Sequence, residues 1–216
     1  SLKIAVVSMA AAMPPPPPVE REYTFASVSD NVINNLNTPY RSVSRLYEGS
    51  PALQVDFFVR KSFEPKALEE LKVIRDQLVV LNISKMPVTD EELSVIKSFK
   101  NLEHLNLNFS ALQGPGLVEL SSLKNLRSLS LSGTSVDAAG LSSVLMLPNL
   151  QDVYVWGTGI GAKQLDSLSR KFPAVSVSLN LTYNFASPVM FLTSLTISLM
   201  LTAISSPLVK KFLLDM

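Results

Sequence analysis

The sequence predicts an α/β chain in which a parallel sheet lies on one side and short helices on the other, one strand and one helix recurring every 24 residues. Three observations predict it. Written in blocks of 24 from Leu78, the chain repeats its apolar columns: Leu78, Leu102, Leu126 and Leu150; Leu81, Leu105, Leu129 and Val153; Ile83, Leu107, Leu131 and Val155; and, further along each block, Leu93, Leu117, Leu141 and Leu165. Within a block the apolar spacing changes from two to between three and four, the signature of a strand followed by a helix. Turn chemistry sits between the two periods, with "SGT" at 132–134 and "WGT" at 156–158 after the strand and Asn101, Asn125 and Asn149 closing the helix side.

One block cannot bury both its strand face and its helix face. Stacked blocks can, strand beside parallel strand, which predicts a solenoid with a concave sheet and convex helices. Residues 1–19 precede it as an apolar segment and a proline-rich linker. "SLKIAVVSMAAAM" has the outline of a secretory signal, but the proline run at its end favours the end of a helix from a preceding domain. Pro14 to Pro18 predict a polyproline II spacer, and no basic residue flanks them closely enough for an SH3-type ligand. Residues 20–50 read as a loop-rich lead-in.

Residues 51–77 read as an N-terminal cap. "SPALQVDFFV" predicts a strand with Leu53, Val55, Phe57 and Val59 on one face, and "EPKALEELKVIRDQ" a helix from about Pro65 with Leu68, Leu71 and Ile74 inward. Residues 78–180 hold the four repeats and a terminal strand at "VSVSL", 175–179. Residues 181–216 are an apolar tail without charge from Ala186 to Val209, read either as a cap on the open end of the stack or as a membrane segment close to bilayer length.

The spacing L-x-x-L-x-L resembles the leucine-rich repeat, with one departure. The position of that family's asparagine ladder carries Met86, Ser110, Thr134 and Thr158, where the three hydroxyls are expected to satisfy the turn backbone. A more specific resemblance covers about residues 15–180. "LNTPYRSV", then "SPALQVDFFVRKSF", "MPVTDEEL" and "VYVWGT" resemble the middle region of bacterial membrane proteins that carry a Planctomycete-type cytochrome c domain ahead of leucine-rich repeats. The resemblance implies an extracytoplasmic interaction segment of a larger, membrane-associated redox protein. It carries over no catalytic residue, and no haem attachment motif lies in this chain.

Composition narrows the chemistry. With 19 basic and 18 acidic residues the net charge is +1, so no global field favours nucleic acid. No cysteine and one histidine leave no cysteine zinc site, thiolate nucleophile or histidine cluster, and no cofactor is expected in this chain. Asp90, Glu91 and Glu92 follow Thr89 at a helix start and read as capping.

The solvent face of the predicted sheet holds three columns: Val80, His104, Ser128 and Asp152; Asn82, Asn106, Ser130 and Tyr154; Ser84, Asn108, Ser132 and Trp156. Amides, hydroxyls and two adjacent aromatics suit a protein or glycan ligand, so His104, Asn106, Asn108, Asp152, Tyr154 and Trp156 are the candidate contacts. The competing expectation is that Tyr154 and Trp156 are covered as part of a terminal cap. His104 reads as a surface side chain, since neither Asn106 nor Ser128 completes a metal or base site. The expected function is non-catalytic binding, with a structural spacer as the alternative.

Overall fold

Alternation in "LQVDF" makes the strand that organises the rest: Leu53, Val55 and Phe57 point into the core while Gln54 and Asp56 point away from it. The computed structural model describes residues 22–179. The proline run, the apolar segment before it, Asn180 and the tail lie outside the described residues.

The described chain is α/β. Its strands are β1 (Arg41–Arg45), β2 (Leu53–Phe57), β3 (Leu78–Asn82), β4 (His104–Asn106), β5 (Ser128–Ser130), β6 (Asp152–Tyr154) and β7 (Ser176–Ser178), and they form one seven-stranded sheet in sequence order. β1 pairs antiparallel with β2, and every later pairing is parallel. Register runs straight across: Val80 faces His104, His104 faces Ser128, Ser128 faces Asp152 and Asp152 faces Ser176.

Each parallel connection carries a short helix, and neighbouring helices pack against one another. They are α1 (Asp30–Leu36) before the sheet, then α2 (Lys66–Glu70), α3 (Leu93–Ile96), a 3-10 helix at Pro115–Ser122, α4 (Ala138–Val144) and α5 (Ala162–Lys171). Between sheet and helices runs a continuous core in which Leu81, Leu129, Val153, Leu93, Leu117 and Leu141 are fully buried. Each such side chain is worth roughly 1.5–3 kcal/mol on burial.

Polar side chains fasten one connection to the next. Asn101, Asn125 and Asn149 donate from Nδ2 to the carbonyls of Asp76, Lys100 and Lys124 at 2.7, 3.0 and 2.8 Å. The Asp90 carboxylate accepts from the backbone N–H groups of Gln113, Gly114 and Gly116 at 2.9, 3.1 and 2.8 Å, capping the Pro115–Ser122 helix from the preceding connection. Gly116 permits this approach, because a Cβ there would stand 2.6 Å from Asp90 Cβ. Glu92 accepts from Thr89 N and Oγ1 at 2.7 Å each, closing the turn that leads into the Leu93–Ile96 helix, which has no side-chain cap of its own.

Several expectations need correction. The lead-in is not loop-rich: it contains α1 and β1, and β1 covers the outer edge of β2. Arg41 is 1% exposed, donating to the Leu36 and Ala67 carbonyls at 2.8 and 3.0 Å and pairing with Glu70 at 3.0 Å. Asn37 ties the end of α1 to β1 by exchanging hydrogen bonds with Val43. Val59 does not join the inward set, since β2 ends at Phe57 and Val59 is exposed.

The cap helix is shorter than its apolar spacing predicts, tightening to a 3-10 turn at Leu71–Ile74, although Leu68, Leu71 and Ile74 are buried as expected. Among the turn hydroxyls, Thr134 and Thr158 donate to the Leu131 and Val155 carbonyls at 2.6 and 2.8 Å. Ser110 Oγ is buried with no hydrogen-bond partner among the described residues. Serine lacks the methyl group that restricts threonine χ1.

Candidate functional site

The sheet face opposite the core is built by the outward-pointing residue of each strand, and straight register places these side chains in rows. One row is Gln54, Val80, His104, Ser128, Asp152 and Ser176; the next is Asp56, Asn82, Asn106, Ser130, Tyr154 and Ser178. Parallel neighbours lie close to 4.8 Å apart, so side chains on adjacent strands touch and polar groups find one another before they find solvent.

That contact separates the six predicted residues. His104 and Asp152 are half-buried and face solvent in part, with Ser128 between them. Trp156 is 46% exposed. Asn106, Asn108 and Tyr154, expected to be presented to a ligand, are instead 1%, 4% and 8% exposed. Asn106 Oδ1 accepts from Asn108 N at 3.0 Å, and Asn108 Oδ1 accepts from Ser132 N at 2.7 Å. The Asn106 amide closes the turn at the end of its own strand, the Asn108 amide holds that end to the next strand, and Tyr154 is packed away from water.

Three contributors escaped the sequence reading. Phe109 has φ 57°, a left-handed conformation that bulky residues seldom adopt. Its ring lies over Gly133, where a Cβ would come within 2.3 Å of Phe109 Cδ1, and meets the Trp156 ring edge-on, with centroids 6.4 Å apart. The signal was in the spacing: Lys85, Phe109, Gly133 and Gly157 follow their strands at the same position, and all four have positive φ. Glycine adopts that conformation at no steric cost, whereas a phenylalanine spends roughly 1–2 kcal/mol on it.

Asp56 and Gln54 extend the polar rows onto β2, and alternation with the inward residues of that strand would have found them. Burial pushes the Asp56 carboxyl above its ordinary value of 3.8, and hydrogen bonds from Asn82 and Gln54 partly offset the shift.

The only histidine is His104, and in register Ser128 stands between it and Asp152. A hydroxyl activated by a carboxylate-oriented imidazole needs the imidazole in the middle, so this row is not in the order of a catalytic triad. Among the described residues, no cluster of three or more histidine, aspartate or glutamate side chains is placed to hold a metal ion. What the face does offer is a partly exposed polar strip, His104, Ser128 and Asp152, and, beyond the buried row of Asn106 and Tyr154, the Phe109–Trp156 pair at the corner of the sheet. No protein-family model matches the chain, and no curated protein matches it.

Proposed function

We propose that the chain is a leucine-rich repeat solenoid of 24-residue units that acts as a non-catalytic binding module, taking a protein or glycan partner on the concave sheet. The observation that supports this most is the strip of polar side chains in straight register, His104 facing Ser128 and Ser128 facing Asp152, on a sheet whose corner carries an exposed tryptophan. An aromatic ring beside hydrated polar groups is the composition that recurs at binding hot spots. The contact set is His104, Ser128, Asp152 and Trp156; Asn106, Asn108 and Tyr154 are its framework. Resemblance of the lead-in and cap to the cytochrome-containing bacterial family supports placing this module in an extracytoplasmic, membrane-associated redox protein.

A photo-crosslinking amino acid at position 128, compared with one at the exposed Val73 on the helix side, tests the reading in extracts of the native cells. A discrete adduct from 128 and none from 73 is the expected result; equal or absent adducts refute it. Burial of Asn106, Asn108 and Tyr154 favours a second reading, a rigid spacer that orients neighbouring domains. That spacer would give no adduct from either position.

A further inference from the structure

We infer that the sheet edge formed by the carboxyl ends of the parallel strands docks on an anionic lipid surface. The segments that follow β2 to β6 all emerge at this edge, because these strands run in the same direction. They read "FVRKS" (58–62), "SKM" (84–86), "NFS" (108–110), "SGT" (132–134) and "WGTG" (156–159), with three cations and no anion. The chain as a whole is balanced at 19 basic and 18 acidic residues, so this segregation is local.

Arg60, Lys61 and Lys85 are exposed, and no ion pair among the described residues involves them. Further along these connections, Asp90 accepts three backbone N–H groups, Glu92 accepts from Thr89 and Asp137 accepts from Gly140 N at 2.8 Å, while Glu64 and Glu91 are exposed. The segments at the edge itself therefore carry an excess of positive charge, with the carboxylates further along the connections.

Cations alone would suit any polyanion. The apolar residues select lipid. Of the seven large hydrophobic side chains exposed among the described residues, Phe58, Val59 and Trp156 belong to these segments, and Leu179 directly follows β7 at the same edge. Phe109 adds its ring edge-on to Trp156. Aromatic and aliphatic groups flanked by lysine and arginine match the boundary between headgroups and acyl chains, whereas a hydrated polyanion gives such apolar groups nothing to bury against. Continuity supports the same partner, because the chain leaves the described residues at Leu179 on this edge and its sequence then carries no charge from Ala186 to Val209. This docking edge is independent of the binding strip proposed above, except that Trp156 stands at the corner where the two meet.

The test uses the full chain with vesicles of phosphatidylcholine alone or mixed with phosphatidylglycerol, reading the emission of Trp156, the only tryptophan. Each basic residue near an anionic surface contributes roughly a fivefold gain in partition, so the triple variant Arg60→Gln/Lys61→Gln/Lys85→Gln should bind the mixed vesicles about 100-fold more weakly. All three residues are exposed, and an unchanged circular dichroism spectrum verifies the fold. In the parent chain, the mixed vesicles should shift Trp156 emission to the blue, and brominated lipid should quench it. Equal binding by parent and triple variant would overturn the inference and assign membrane affinity to residues 186–209. So would vesicle binding without a Trp156 response, equal affinity for dextran sulfate, or no binding at all.

Discussion

Asn108 decides whether an amide on the sheet face serves a ligand or the fold. Its side chain is 4% exposed, and its Oδ1 accepts the Ser132 N–H across the strand boundary at 2.7 Å. Asn108→Ala removes that acceptor and leaves a donor buried at Ser132, itself 1% exposed. An orphaned buried group costs about 1–3 kcal/mol, and the small void left by the amide adds to this. For a folded unit of this size, each kcal/mol lowers the melting temperature by about 2–4 °C, so the variant should melt roughly 3–10 °C below the parent. Thermal unfolding followed by far-ultraviolet circular dichroism measures it, with His104→Ala as the comparison on a half-buried neighbour. A variant melting at the parental temperature would refute the reasoning, because Ser132 would then have another partner and Asn108 would be free for recognition.

Three further outcomes follow from the geometry. Arg41→Ala strands the Leu36 and Ala67 carbonyls and should cost about 3 kcal/mol in urea unfolding, with Arg41→Lys recovering little because an ammonium cannot span both acceptors and Glu70. Full recovery by lysine would contradict this. Gly133→Ala combines a left-handed φ of 70° with a Cβ 2.3 Å from the Phe109 ring, and should lose about 2 kcal/mol together with the near-ultraviolet signature of the Phe109–Trp156 pair; an unchanged spectrum would sink the account. The raised carboxyl of Asp56 binds its proton more tightly in the folded chain, so its contribution is fully present below 3.8 and lost as pH rises through the higher folded value. Stability of Asp56→Asn relative to the parent should therefore climb with pH across that window and level off above it; a pH-independent difference would show that Asp56 titrates alike folded and unfolded.

The α/β class was legible because strand and helix periods alternate with turn residues between them, and the inward residues Leu81, Leu105, Leu129 and Val153 are all buried. The lead-in was not. "RSVSR" offers one apolar residue to a strand reader, and the side chain that anchors it is an arginine, a residue normally assigned to solvent. Helix lengths on the connections also eluded pattern reading: α3 spans only Leu93–Ile96, and the next connection carries a 3-10 helix, Pro115–Ser122, in place of an α-helix.

On the sheet face, spacing indicated which way Asn106, Asn108 and Tyr154 point but not how deep they lie. Depth depends on neighbours 24 residues away in sequence and one strand away in space. The same cross-strand proximity hid Phe109, whose role depends on the missing side chain at Gly133.

The central claim is that Trp156 stands in water at the corner of the proposed binding surface and is not sealed into an end cap. Acrylamide quenching of tryptophan emission in the intact chain tests it most directly, since Trp156 is the sole fluorophore of its kind and is 46% exposed. A red-shifted, readily quenched emission is the predicted result. A blue-shifted emission protected from acrylamide would contradict the claim and make this end of the sheet a covered terminus.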